Sequence, residues 1–405
     1  MQLVDRHVIR NTSPFWAEID DLAFRSKNLF NFANYQIRQR FIFQREYLNY
    51  NYMAAAVKDS PDYKALPAKV SQQILMRLDE SWRSFFAAIK EWSIHPEKFL
   101  GRPKLPKYKD KEKGRNVLTY TIQAISQKWL KQGWINLSMT NVFIKVLHDN
   151  VRQVRIVPKC DHYVIEVVYE KEAKDLGLNP GNIASLDLGV NNLAALTSNK
   201  PGFQPVLING RPLKSTNQYF NKVKARLQSL LPGNRKTSNK IRKLTSKRNY
   251  RVDHYLHNAS RWIIDYLIQN DIGTLVIGKN DLWKNGINIG KQNNQQFVQI
   301  PHGRFVQQLT YKAQLVGIQV IAQEESYTSK ASFMDGDAIP LYQKGGDAKH
   351  RFSGRRIARG LYRTAKGLLI NADVNGSYNI LRKAFPVNGI EAVVVQPVRV
   401  TPGKG

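Results

Sequence analysis

Asp187 closes the apolar run Ile183-Ala184-Ser185-Leu186 and is followed at once by Leu188 and the turn-former Gly189. A strand that carries a carboxylate to its end and then turns away aims that group at a fixed place. The chain has no further Asp or Glu before Asp253, while eleven Lys and Arg fall between Lys222 and Arg251. An isolated acid facing a basic wall suits metal-bound phosphodiester chemistry, because carboxylates hold hard cations and basic side chains hold phosphates. Two-metal hydrolysis needs about three carboxylates around cations roughly 4 Å apart, so partners for Asp187 must sit at neighbouring strand ends or on a helix facing them. Glu324 and Glu325 close the strand that begins at Gly317, and Asp373 begins the helical run 371–380. Alternation along a strand points the two glutamates to opposite sides, so only one of them should serve. Asp373 has a second reading as an N-terminal helix cap.

The elements around these residues change character along the chain. Over 15–95, Trp16, Ile19, Leu22 and Ala23, then Ile74, Leu75, Leu78, Trp82, Phe85 and Phe86, recur at helical spacing and predict a helical core. Lys69 and Gln73 lie one helical turn apart on the same face, either as a pair reading bases or phosphates or as part of a solvated surface. The segment 102–115 holds seven basic residues against two acidic ones, Lys104, Lys107, Tyr108 and Lys109 among them, and its prolines block a helix. It reads as an extended basic strap, tracking a nucleic-acid backbone or serving as a solvated linker. Short alternating runs over 120–169 predict a small β-barrel or sheet. Past the turn-rich linker 174–181, strands near 183–189, 193–198 and 204–208 precede a helical stretch from about 216 to 270. Pro232-Gly233-Asn234 divides that stretch into a hairpin. A strand at 274–278, a helix near 303–316 and a strand at 317–324 complete the RNase H order.

A formal charge of +31 on 405 residues exceeds what solubility asks of a surface and points to a polyanionic partner. Ten per cent Phe, Trp and Tyr, interleaved with the basic residues, favours nucleic acid over a membrane surface, since bases need rings to stack on. Cys160 is the single cysteine, which excludes an internal disulfide and a thiolate zinc site. No apolar run approaches the roughly 20 residues that span a bilayer, and the first residues lack the apolar core of a signal peptide. The expectation is a cytoplasmic protein, nucleoid-associated if bacterial, with no membrane partner.

Asp187-Leu188-Gly189-Val190, Glu325-Ser326-Tyr327-Thr328-Ser329-Lys330 and Asp373-Val374-Asn375-Gly376-Ser377-Tyr378-Asn379-Ile380 resemble the motifs of the TnpB family, transposon-encoded RNA-guided nucleases related to type V CRISPR effectors. The likeness extends to Ile300-Pro301-His302-Gly303-Arg304-Phe305, Leu309-Thr310-Tyr311-Lys312-Ala313 and Pro106-Lys107-Tyr108-Lys109, and so covers most of the chain. It implies an α+β multidomain fold. A β-barrel or wedge-like domain over 1–14 and 100–180 would hold an inserted helical recognition domain over 15–99. An RNase H-like (RuvC) α/β nuclease domain would follow over 181–405. The resemblance also implies two Mg²⁺ held by Asp187, Glu325 and Asp373, a guide RNA from the transposon end, and a DNA target met as duplex and as single strands. Lys69 and Gln73 are then candidates for reading a short DNA motif beside the target. Lys222, Arg226, Arg235, Lys240, Arg242, Lys247 and Arg251 on the hairpin would hold the guide–target heteroduplex through its backbone.

Two departures from the family pattern stand out. Where the family carries a glutamate after a hydrophobic strand, this chain reads Val276-Ile277-Gly278-Lys279. Among TnpB relatives and the eukaryotic Fanzor proteins, a glutamate just before Tyr-Thr-Ser stands in for it. That makes Glu325 the first candidate, with Glu324 competing and Asp281 a third. Where the family places a four-cysteine zinc ribbon, 331–371 has no cysteine, so no zinc is expected. That stretch reads as a metal-free basic loop with Arg355 and Arg356, touching the heteroduplex or loading the substrate strand, or else as a disordered surface loop. Asp335 and Asp337 within it read as turn formers. The alternative function is an RNA-guided DNA-binding protein or repressor with a disabled nuclease; a DNA-joining transposase finds no supporting motif.

Overall fold

The structure is a computed structural model that describes residues 1–148, 150–279, 298–341, 350–386 and 394–403. The chain divides into two compact units, Met1–Lys171 and Glu172–Gly405, so the division falls just ahead of the 174–181 linker. No helix among the described residues is long and apolar enough to cross a membrane.

The first unit joins long helices to a sheet. After strand β1 (Gln2–Ile9) come helices α1 (Trp16–Gln44), α2 (Tyr50–Val57), α3 (Pro61–Lys64) and α4 (Ala68–Ile94). Ile19, Leu22, Ala23, Leu29, Ala33 and Ile37 of α1 are buried, as are Val70, Ile74, Leu75, Leu78 and Trp82 of α4, at the three- and four-residue spacing of an inward helical stripe. Two side-chain hydrogen bonds tie α1 and the α1–α2 connection to α4 within this core. Trp82 Nε1 donates to Asn34 Oδ1 at 3.0 Å, and the Tyr47 hydroxyl donates to Asp79 at 2.6 Å. Strands β2 (Leu118–Thr121), β5 (Val151–Pro158) and β6 (Tyr163–Glu170) join β1 in an antiparallel sheet of order β1-β6-β5-β2. Between them lie a single-turn helix α5 (Gln127–Leu130) and a separate hairpin of β3 (Trp134–Asn136) and β4 (Phe143–Lys145). Among the described residues this region holds a four-strand antiparallel sheet and a two-strand hairpin. β3 also meets the segment after β2: the Ser126 N–H donates to the Asn136 carbonyl at 3.0 Å, and Ile125 and Leu137 form an antiparallel bridge.

The second unit is a mixed sheet covered on both faces. Strands β7 (Ile183–Leu188), β8 (Asn192–Ser198) and β9 (Val206–Asn209) form an antiparallel meander. Helices α6 (Arg211–Ser229) and α7 (Asn239–Gln269) follow as the expected hairpin, and strand β10 (Thr274–Gly278) then pairs parallel with β7. Helix α8 (His302–Gln314) leads to β11 (Gln319–Gln323), which pairs parallel with β10. The full order is β11-β10-β7-β8-β9-β15, where β15 (Val398–Val400) is an edge strand not foreseen from sequence. Ala184, Leu186 and Leu188 face a core with Leu256, Ile263, Phe305 and Leu309 of α7 and α8. On the other face, Ala195 and Leu207 pack with Val374 and Tyr378 of α9 (Ala372–Ala384). Period two along β7 therefore places Ser185 and Asp187 on the α9 side.

The segment expected to be a loop over 331–371 contains a three-stranded antiparallel sheet, β12 (Arg355–Ala358), β13 (Leu361–Arg363) and β14 (Leu369–Asn371). The buried Tyr362 and Ile370 give it a small core with Ala372. The positive charge of β12 hid this from pattern reading, because all four of its residues are exposed and show no alternation.

Candidate active site

Two periodicities bring Asp187 and Asp373 together. Ser185 and Asp187 stand two apart on a strand, about 6.6 Å, and Asp373 and Ser377 stand four apart on a helix, about 6 Å, so the two rows match in rise. The serines lock the match: Ser185 Oγ donates to the Ser377 carbonyl at 2.7 Å and lies 3.1 Å from Ser377 Oγ. Thr197 Oγ1 of β8 lies 2.8 Å from Ser185 Oγ and 2.9 Å from Ser377 Oγ, which closes a buried hydroxyl cluster between β7, β8 and α9. Gly376 lets the helix approach this closely, since a Cβ built there would lie 2.8 Å from Asp187 Oδ2. The helix begins at Asn371, whose Oδ1 accepts from the Asp373 and Val374 N–H groups at 3.0 and 3.2 Å. The cap is therefore Asn371, and the Asp373 carboxylate takes other partners. Its Oδ2 accepts from Asn192 Nδ2 at 2.7 Å, and its Oδ1 lies 3.3 Å from the Arg356 guanidinium.

The third acid comes from just beyond β11, which ends at Gln323 rather than at the glutamate pair. Glu324 turns to Lys383 of α9, which pairs with its carboxylate, and accepts from the Ser326 N–H at 2.6 Å. Glu325 turns inward instead. Its Oε2 lies 2.7 Å from where a Cβ on Gly278 would stand, at the end of β10 beside the Asp187 strand. Glycine at 278 leaves the space that this carboxylate fills. Asp281 lies outside the described residues.

The acids repel one another. Burial pushes the Asp187 carboxyl well above the usual carboxylate range, the charges of Glu325 and Asp373 push it further, and Arg356 pulls it down. Burial, then neighbouring Glu324, pushes Glu325 up to about 7 against the pull of Lys383. Burial also pushes Glu324 up, but the donors Lys383 and Ser326 outweigh it and hold this carboxyl below its usual range. Asp187 and Asp373 line a cleft of about 640 Å³ whose other walls include Asn191, Asn192, Arg211, Arg356, Arg359 and Arg399. Among the described residues, no three His, Cys, Asp or Glu side chains already form a metal-holding group.

The remaining candidates are dispersed. Lys222 and Arg226 are exposed on α6, Arg235 in the hairpin turn, and Lys240, Arg242, Lys247 and Arg251 on α7. Arg355 and Arg356 are exposed on β12. In the first unit, Lys69 is exposed on α4 and Gln73 half-buried, its Nε2 3.4 Å from Met76 Sδ. The strap with Lys104, Lys107, Tyr108 and Lys109 is not a free ribbon. Asn31 exchanges two hydrogen bonds with the Lys109 backbone at 2.8 and 2.9 Å, and Asn34 and Arg38 donate to the Pro106 carbonyl. The Arg38 guanidinium lies 5.0 Å from the Tyr108 ring centroid, so one face of that ring already carries a cation.

Several residues around the cleft escaped sequence reasoning. Arg211, Arg359 and Arg399 come from α6, the β12–β13 turn and β15, and only folding gathers them. The fully buried His302 sits with Nε2 2.9 Å from the Gly189 carbonyl and braces the turn that follows Asp187. Asn375 binds the Phe333 N–H and the Ala331 carbonyl, and Asn379 donates to the Thr328 and Ala331 carbonyls, so α9 grips the chain that leaves Glu325. Two asparagines four apart inside a helix were the available signal, because asparagine disfavours helix interiors unless its side chain has a partner.

A family model described as OrfB_IS605, probable transposase, matches residues 166–284, and one described as Cas12f1-like, TNB domain, matches 302–380. The chain is 25% identical over 431 residues to the TnpB-like protein ORF457 of Acidianus two-tailed virus, covering 95% of this chain and 88% of that one. Among solved structures it is similar to Cas12f1 in a complex with sgRNA and target DNA (TM-score 0.39, 14% identity, 95% of this chain and 100% of that one). It is also similar to C2c1 of Alicyclobacillus acidoterrestris in complex with single-guide RNA (TM-score 0.45, 10% identity, 91% and 65%).

Proposed function

From the relationship to a TnpB-like protein along nearly the whole chain, we propose that this protein is a transposon-encoded, RNA-guided DNA endonuclease of RuvC type. The observation that carries the reading is the Glu325 carboxylate in the space left by Gly278, on the side of the sheet where Asp187 meets α9. Three oxygen-donor acids from β7, the end of β11 and α9 then share one neighbourhood. Their donor chemistry fits Mg²⁺: all are hard carboxylates, and a cation would offset both the burial that raises Asp187 most and the repulsion from Glu325 and Asp373 that adds to it. Asp187, Glu325 and Asp373 would hold two such ions; Glu324 is committed to Lys383. When bound, Mg²⁺ supplies an activated water and charge stabilisation for the leaving 3′ oxygen.

The chain's own contribution is placement. Asn192 orients the Asp373 carboxylate, His302 braces the turn after Asp187, and Gly376 admits Asp187 against α9. Arg211, Arg359 and Arg399 line the cleft with positive charge suited to the phosphates of a single strand opened by guide pairing. Target choice belongs to RNA–DNA pairing, while Lys222, Arg226, Arg235, Lys240, Arg242, Lys247 and Arg251 hold the heteroduplex by its backbone, with Arg355 and Arg356 beside it. Lys69 and Gln73 would read the adjacent DNA motif, and the strap through Lys104, Lys107, Tyr108 and Lys109 would help hold the heteroduplex by its backbone. The segment 331–371 works without zinc.

The test is cleavage of target DNA by protein co-expressed with its flanking RNA in Mg²⁺, with guided binding followed in parallel. Wild type and Glu324→Ala should cut, while Asp187→Ala, Glu325→Ala and Asp373→Ala should bind and not cut. A wild type that binds guided DNA without cutting would replace this reading with an RNA-guided binding protein or repressor.

A further inference from the structure

Asp335 and Asp337 bind well beyond a local turn. Asp335 Oδ2 accepts from Ser332 Oγ at 2.5 Å, from the Ala365 N–H at 2.8 Å and from Ser353 Oγ at 3.3 Å. The Asp337 carboxylate accepts from the Ser332 and Ser353 N–H groups at 2.7 and 3.1 Å. Three chain segments thus converge on two carboxylates: the end of the turn that follows Glu325, the residues entering β12, and the β13–β14 turn. Burial pushes Asp335 up, but its donors outweigh this and hold it below the usual range, so it accepts these bonds ionised.

Two of the tethered segments reach the acid site. The His350 and Phe352 rings lie 4.9 and 6.4 Å from the Tyr327 ring, two residues past Glu325. Tyr327 has φ +67°, a left-handed backbone that a bulky residue keeps only when its surroundings hold it. Past Ser353, β12 brings Arg356 to Asp373. We infer that Asp335 and Asp337 are positioning residues, a paired carboxylate clamp that holds the Glu325 turn and Arg356 at the two sides of the acid site. The clamp does without metal what a thiolate cross-link would do, in a stretch that has no cysteine.

This inference deepens the nuclease reading, and its kinetic arm rests on that reading; its exchange arm does not. Asp335→Asn and Asp337→Asn in the RNA-bound protein should speed amide exchange at Ser353 and Ala365, and the faster exchange should spread to 327–331. In guided cleavage, kcat should fall about 10- to 100-fold, the usual effect of losing a group that orients ligands, with KM and guide binding unchanged. Exchange confined to the two amides, or kcat and KM moving together, would overturn it. If wild type does not cut, spread of exchange to 327–331 supports the clamp and its absence sinks it. Should Asp335→Asn fail to fold, Ser353→Ala removes a single 3.3 Å bond and is read by the same measures, with the same spread expected.

Discussion

At the scale of single residues, the site depends on two glycines that make room for carboxylates. Gly376→Ala would set a methyl 2.8 Å from Asp187 Oδ2 and push that acid off its place. The expected result is a loss of cleavage of about 100-fold or more with guided binding intact, measured in parallel on one preparation, since small misplacements of a reacting group cost that much. Protonation gives a second prediction. Glu325 is ionised above about 4.5 in the unfolded chain but only above about 7 in the folded one. Between these values the unfolded chain has released a proton that the folded chain keeps, so the stability present below the window is lost as pH rises through it. The Tm of the cation-free protein should therefore fall from about pH 4.5 to about 7, and Glu325→Gln should flatten that fall. Parallel falls in both proteins would count against the assignment.

At the scale of elements, α9 organises the site: it carries Asp373, meets β7 and β8 through Ser377, and grips the exit of the Glu325 turn through Asn375 and Asn379. Asn375→Ala would orphan the buried Phe333 N–H and remove a donor from Ala331. A cost of about 1–3 kcal/mol is expected for each buried group left unpaired, read as a lower midpoint in chemical denaturation with unchanged slope. The strands and helices that carry this machinery were largely legible, since β7 and β10 are apolar runs ended by glycine and Pro232-Gly233-Asn234 marks the break between the hairpin helices. The β12–β14 sheet was not, because its strands are three or four residues long and its first strand is wholly exposed. The edge strand β15 was equally hidden, as three residues show no period.

At the scale of the whole molecule, the charge of +31 dominates behaviour towards nucleic acid. Replacing the exposed Lys240, Arg242, Lys247 and Arg251 by Gln should weaken guide RNA binding and lower the slope of log Kd against log salt by roughly 3. An unchanged slope would mean that α7 does not face phosphates. Arg248 on the same helix should behave differently, because it is spent internally on Asn217 and the Gln299 carbonyl. Its loss should lower Tm more than it lowers the slope.

The sequence by itself determined a charge suited to a polyanionic partner, an apolar run ending in Asp187, and the acids that could join it, Glu324, Glu325 and Asp373. Those follow from composition and from periods of two and 3.6 residues, which are properties of neighbours along the chain. Only the tertiary structure decided that Glu325 turns into the space at Gly278 while Glu324 goes to Lys383. It also decided that Asn371 rather than Asp373 caps α9, that Arg38 covers one face of Tyr108, and that two aspartates read as turn formers join three distant segments. Each depends on groups far apart in sequence meeting in space, and local spacing carries no record of such meetings.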